Sequence, residues 1–220
     1  MTTGAHASYP RVRVNVGDHT KAFIVESHEG GAAGSLINSV FELKLGDHVS
    51  FEHLRLNLVD QAATVLTTCG GAMGKESLYR GHNFVVGGAL SRHQIFFRFE
   101  GEQSKAEISS ASLLNAKQHA DSTLVVDHAV PECQSREFFA HVLDGESTGV
   151  FQGKIIVRPG AQQTDGKMMS RAVVLEDGAT MNNKPELEIF ADDVACGHGA
   201  TVGALDEDLL FYLRARGLPK

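Results

Sequence analysis

Apolar and polar residues alternate along most of this chain in short runs, at residues 22–26, 36–43, 48–58, 63–68, 94–99, 106–114, 123–128, 154–158, 171–175 and 186–190. A period of two is what β-strands leave in a sequence, and the 3.6-residue period of a helix is nearly absent before Asp206. In the longest run Leu54, Leu56 and Leu58 alternate with His53, Arg55 and Asn57. That pattern predicts leucines on a buried face and polar side chains in water. The class is all-β.

Punctuation between the runs repeats. Gly160-Ala161-Gln162, Gly178-Ala179-Thr180 and Gly199-Ala200-Thr201 recur 18 and then 21 residues apart, each after an apolar run. Upstream, Val16-Gly17-Asp18-His19 is echoed by Leu45-Gly46-Asp47-His48 at a spacing of 29. Repeats near 20 residues, each one strand and one or two turns, predict successive coils of a β-solenoid. Hairpin signals for the rival sandwich are scarce, since there is no Asn-Gly pair.

A solenoid must cover its two ends. From Asp206 the pattern changes to a helix suited to the C-terminal end. Asp206 is an N-cap, Glu207 and Asp208 are acidic in the first turn, and Leu209, Leu210 and Leu213 form a stripe. Arg214 and Arg216 lie in the last turn, and Gly217 with Pro219 stops the helix. The expected organisation is a frayed or appended leader over residues 1–9, a β-helix core over 10–205, and the start of a helical segment over 206–220.

Composition narrows the partners. At 220 residues one well-buried domain suffices. Acidic residues outnumber basic ones, 27 against 20, with no basic block, which disfavours nucleic acid and anionic membrane surfaces. No apolar run approaches a membrane span. Three scattered cysteines, Cys69, Cys133 and Cys196, with no C-x-x-C pair, fit a soluble protein of the reducing cytoplasm.

Candidate chemistry is sparse. Eleven histidines form no H-x-x-x-H pattern; His19, His28, His48, His53, His82, His93, His119 and His141 read as structural or solvated. Asp127 and His128 precede Pro131, Glu132 and Cys133, but adjacent strand residues face opposite ways, so a polar ladder is expected there. Cys69 and Cys133 read as small buried hydrophobes. Asp165, Asp177, Asp192 and Asp193 could serve a carbohydrate-cleaving β-helix, although each falls where a turn is expected. Gly30-Gly31-Ala32-Ala33-Gly34 lacks the context of a phosphate loop.

The remaining pair is Cys196 and His198, two residues apart in a glycine-rich stretch. Extended backbone would turn both to one face, offering sulfur and nitrogen to one soft metal. From spacing alone, a buried cysteine beside a hydrogen-bonded histidine in a turn explains the pair as well or better.

Longer stretches carry a resemblance. Phe151-Gln152-Gly153-Lys154-Ile155-Ile156-Val157, Ala161-Gln162-Gln163-Thr164-Asp165, Lys184-Pro185-Glu186-Leu187-Glu188-Ile189, Asp192-Asp193-Val194-Ala195-Cys196-Gly197-His198-Gly199-Ala200-Thr201 and Phe211-Tyr212-Leu213-Arg214-Ala215-Arg216-Gly217 closely resemble the SufB/SufD family of iron–sulfur cluster assembly proteins. The match runs from about Val125 to Leu218, and more loosely upstream to about residue 10. Cys-Gly-His-Gly-Ala, in place of the acidic V-E-H-E-type segment of SufB, resembles the SufD branch.

The resemblance implies a right-handed parallel β-helix with a short C-terminal helix, acting as a scaffold rather than an enzyme. It implies pairing with SufB through strands. Docking of the SufC ATPase would use C-terminal helices largely outside these residues, and the chain is expected to be the core fragment of a longer protein. An Fe–S cluster or iron would be held transiently at the subunit seam, with the family's C-S-H motif falling on Cys196-Gly197-His198. The missing serine hydroxyl removes no ligand but changes how the turn is held. Deprived of SufB, such a chain is expected to self-pair into a homodimer. A carbohydrate-active enzyme and a purely structural solenoid are the alternatives.

Overall fold

A computed structural model describes residues 5–204 and 206–219. The strands are β1 (Ala7–Ser8), β2 (Arg11–Val16), β3 (Lys21–Gly30), β4 (Leu36–Leu45), β5 (Ser50–Val59), β6 (Thr64–Met73), β7 (Leu78–Val85), β8 (Leu90–Phe99), β9 (Lys105–Leu114), β10 (His119–His128), β11 (Gln134–Leu143), β12 (Thr148–Val157), β13 (Asp165–Val174), β14 (Thr180–Ile189) and β15 (Gly197–Ala204), followed by α1 (Glu207–Ala215). Even-numbered strands from β4 to β14 stack into one parallel sheet, which β1 and β2 join through β4. Odd-numbered strands from β3 to β15 stack into the other. From β2 onward the chain passes from one sheet to the other between successive strands, giving the expected parallel β-solenoid. The first pairing lies before Pro10, since Ala7–Ser8 run beside Leu36–Ile37. Residues 1–4, Leu205 and Lys220, which bound the segments expected from sequence, lie outside the described residues.

Each coil contains two strands, not one. Leu36, Thr64, Leu90, His119, Thr148 and Thr180 occupy one register position, 26 to 32 residues apart. The 29-residue echo is therefore the coil, and the 20-residue repeat is not: Gly199-Ala200-Thr201 lies inside β15. At one corner of successive coils, His19, His48, Glu76, Gln103, Glu132 and Gln163 adopt φ between 51° and 60°. Rung-to-rung hydrogen bonds hold this unfavourable backbone, such as His19 N to Asp47 O and Glu76 N to Glu102 O, each 2.9 Å. The same corner is too tight for a side chain, because a Cβ on Gly101 would lie 2.0 Å from Lys75 N.

The lumen is filled from both sheets. Phe51, Phe99, Phe139, Phe151, Ile155 and Met168 are buried at its centre. In β5 the expected faces are inverted. His53, Arg55 and Asn57 are at most 3 % exposed, whereas Leu58 is 46 % exposed. Phe51 and Val59, buried at the two ends of the strand, fix its parity, and the intervening polar residues must follow them inward. Glu26 makes this tolerable by standing on the same inner face, one rung below.

The helix begins as expected, with Asp206 accepting from Leu209 N at 3.0 Å. It does not close the solenoid, since Leu209 is 64 % and Phe211 75 % exposed. The outer edges of β14 and β15 form the end of the stack.

Candidate functional site

The glycine-rich run 196–204 folds as the last rung. Ala195 N donates to Thr164 O at 2.8 Å, and a bridge between Thr164 and Val194 starts a register that continues from Lys167–Gly197 to Val174–Ala204. Cys196 therefore stands over Gly166, and His198 over Met168. Met168 points inward and is 2 % exposed. Alternation along extended backbone turns Cys196 and His198 to that same inner side, with Gly197 and Gly199 facing out. Among the described residues no coil lies above this rung, and the Cys196 thiol is half-buried against the end of the core while His198 is exposed.

A cleft of about 630 Å³ opens at this rung. It lies on the outer face of the sheet, where Phe138 and Met169 give it apolar walls, Arg136 and Lys167 a basic rim, and Gly197 and Gly199 a floor behind which Cys196 and His198 turn inward. Gly199 keeps part of it open, because a Cβ there would meet Met169 Cε at 2.7 Å. Burial raises the Cys196 thiol above its ordinary range, and the Asp165 and Glu137 charges add to this against a hydrogen bond from the Gly166 amide. The free thiol is thus protonated at neutral pH, and a cation is needed to draw out the thiolate. Among the described residues no three His, Cys, Asp or Glu side chains meet as a preformed metal cage.

Other residues singled out from sequence do not converge here. Asp127 faces out to Arg158, at 2.9 and 3.2 Å, while His128 faces the lumen, stacked on Phe99 and hydrogen-bonded to Ser135 Oγ at 2.9 Å. Burial pushes Cys69 up to about 12 and Cys133 up to about 11, leaving both inert. Asp165 opens β13 and is held by Arg136, while Asp177, Asp192 and Asp193 are exposed in turns.

The sequence reading missed the polar lumen. Glu26 lies between His28 Nε2 at 2.6 Å and His53 Nε2 at 3.1 Å, with Arg55 Nε at 4.0 Å. Burial alone would raise the Glu26 carboxyl, but the two histidine hydrogen bonds and the Arg55 charge hold it well below the usual range. Glu137 was missed too. It is 2 % exposed, and neither oxygen is in good hydrogen-bond geometry, although the Ser135 hydroxyl and the Arg136 charge both act on it.

Residues 1–220 match the SufBD core domain of the SUF iron–sulfur cluster assembly system. The chain belongs to the SufBD core family. It is 33 % identical over 95 % of its length to an iron–sulfur cluster assembly SufBD family protein of Synechocystis, covering 48 % of that protein. Identity to the iron–sulfur cluster assembly protein SufD of Escherichia coli is 30 % over 81 % of the chain and 42 % of the relative. The chloroplastic protein ABCI7 of Arabidopsis thaliana is 32 % identical over 96 % of the chain and 45 % of the relative. The chain spans about half the length of these relatives. Among the described residues no helix is long and apolar enough to cross a membrane.

Proposed function

We propose that this chain is the β-helical core of a SufD-type scaffold on which iron–sulfur clusters are built and released in the cytoplasm. Iron and sulfide are its cargo, received by Cys196 and His198 and shared with SufB across the terminal rung. The scaffold has no catalysis of its own, and the ATPase step belongs to SufC, engaged through helices beyond this core.

The observation that carries this reading is the Cys-Gly-His run on the last rung of the described solenoid, in a chain of the SufBD core family. A thiol and an imidazole cover two positions of a four-ligand shell. A shell completed by a second subunit holds an ion and lets it go when the subunits part. The free strand edges of β14 and β15 offer backbone donors and acceptors to such a subunit. Without SufB, the same edges support a homodimer.

The test is anaerobic reconstitution of the chain with SufB, ferrous iron and sulfide. Cys196→Ser and His198→Ala are each expected to lower the visible absorption of the cluster and its transfer to an acceptor apoprotein. Unchanged absorption and transfer in both variants would contradict the assignment.

A further inference from the structure

The outer side of the last rung is bare. Its outward positions on β15 are Gly197, Gly199, Thr201 and Gly203, so three of the four carry no side chain. Glycine on a strand face lets another backbone or helix come close. The cleft lies there, walled by Phe138, which is 44 % exposed, and by Met169. Around it stand Arg136, Lys167 and, over the Phe138 ring at 6.0 Å, Arg171. Asp165 answers Arg136 and Lys167, while Glu107 on the rung below is taken by Arg80 at 2.8 Å. The rim thus keeps positive charge in a chain whose net charge is −7.

α1 is the other uncovered apolar element. Phe211 is 75 % and Tyr212 54 % exposed, and they share a helix face with Asp208 at spacings of three and four. That face is acidic at its start and aromatic in its middle, which complements a basic rim around an apolar trough. Its own cleft is the wrong one. The cleft lies beside the start of β15, whereas α1 begins three positions after β15 ends. Folded back along its own strand, the helix would set Arg214 and Arg216 against Lys167 and Arg136. A second copy reverses this. A strand pairing with its own copy across a two-fold axis runs antiparallel to it, so the end of one β15 comes beside the start of the other. The second copy's α1 then enters at the cleft with its acidic turn first. Its 9 residues extend about 14 Å, enough to cross β15, β13 and β11, which together span roughly 10 Å from axis to axis.

We propose that the cleft over Gly197 and Gly199 is the docking site for α1 of a second copy of this chain, each copy of a homodimer laying its helix on the other. This rests on the reading of the β15 edge as a pairing edge. Phe211 and Tyr212 fill the trough between Phe138 and Met169, and Asp208 meets Lys167. The contact is made twice, once on each side of the axis. It braces from behind the strand that carries Cys196 and His198.

Sedimentation equilibrium of the chain tests this. Phe211→Ser and Phe138→Ser are each expected to weaken the homodimer roughly tenfold or more, and Phe211→Ser leaves the melt of the solenoid unchanged. Charge reversal then tells the copies apart. Asp208→Lys and Lys167→Glu each weaken self-association, but a mixed pair has one native helix–cleft contact and one reversed on both sides. Native mass spectrometry of an equal mixture is expected to show heterodimer above the half of all dimers that random pairing gives. Wild-type affinity in both serine variants would overturn the proposal and leave edge pairing standing. Weakened homodimers with no preference for the mixed pair would overturn it as well, placing the helix on its own copy. A chain that stays monomeric at every concentration would overturn the proposal and the homodimer reading together, while Cys196 and His198 keep their separate test with SufB.

Discussion

The two ends of the lumen are both polar, but they are built differently. In the first coils the buried groups satisfy one another: Glu26 with His28 and His53, Arg55 with Asn83 at 2.5 Å, Asn83 with Ser110 at 2.9 Å, and Asn57 with Ser91 at 2.8 Å. Arg55 Nε, 4.0 Å from Glu26, is the atom of that group without a hydrogen bond. In the last coils both oxygens of Glu137, both nitrogens of His141, His128 Nδ1 and Asn183 Nδ2 are buried without partners. A closed network contributes rigidity and register, whereas an open one lowers stability and leaves groups free to bind. The N-terminal lumen is a foundation, and the C-terminal lumen lies beneath the proposed site.

The largest expected effect comes from opening the closed network. Glu26→Gln leaves the Arg55 guanidinium buried without its countercharge and is expected to cost about 3–5 kcal/mol in a urea melt at pH 7. Because the folded-state acidity of Glu26 lies below its usual 4.5, its contribution is full above that pH and disappears as the pH falls. The variant's deficit should therefore shrink in acid.

At the other end the sign reverses. Burial pushes Glu137 up to about 8, so the folded state holds its proton while the unfolded chain has released it. Stability is full below about 4.5 and falls as the pH rises to about 8. Glu137→Met should raise stability by about 1–4 kcal/mol at pH 8 and leave it nearly unchanged at pH 4.5. A Glu137→Met loss as large as that of Glu26→Gln would end the contrast between the two lumens.

His141 sharpens the contrast. Burial pushes it down to about 4, so the unfolded state gains a proton first and stability is lost as the pH falls from 6.5 towards 4. His141→Leu should remove that slope and recover about 2 kcal/mol at pH 5. The smallest effect is expected outside the solenoid. Asp206→Ala removes the cap on Leu209 N and should speed amide exchange in α1 at a cost of about 1 kcal/mol, without moving the global melt.

Strand alternation made the β class legible and recurring glycine punctuation the solenoid, although the 20-residue period read from it was wrong and only the 29-residue Gly-Asp-His echo marks a coil; Asp206 marked the start of the helix. The direction of burial was not legible in β5, because local alternation cannot say which face is inside. Phe51, Val59 and the rungs of neighbouring coils decide that. β7 and β11 escaped notice because their inner positions carry Gly81, Asn83, Ser135, Glu137 and His141, which read as surface. β15 was hidden by its glycines. At the site, Cys196 and His198 stood out because extended backbone brings i and i+2 together. The buried floor under them did not, since 30 residues separate Met168 from His198 and only the coil register sets one beneath the other.

Native mass spectrometry under anaerobic conditions tests the central claim most directly. The chain, SufB, ferrous iron and sulfide are mixed, and the mass of each assembly is read. Iron and sulfide are expected on a one-to-one pair, on neither protein alone, and at reduced occupancy on a pair containing His198→Ala. A full cluster carried by this chain by itself, or by a pair indifferent to His198, would contradict it.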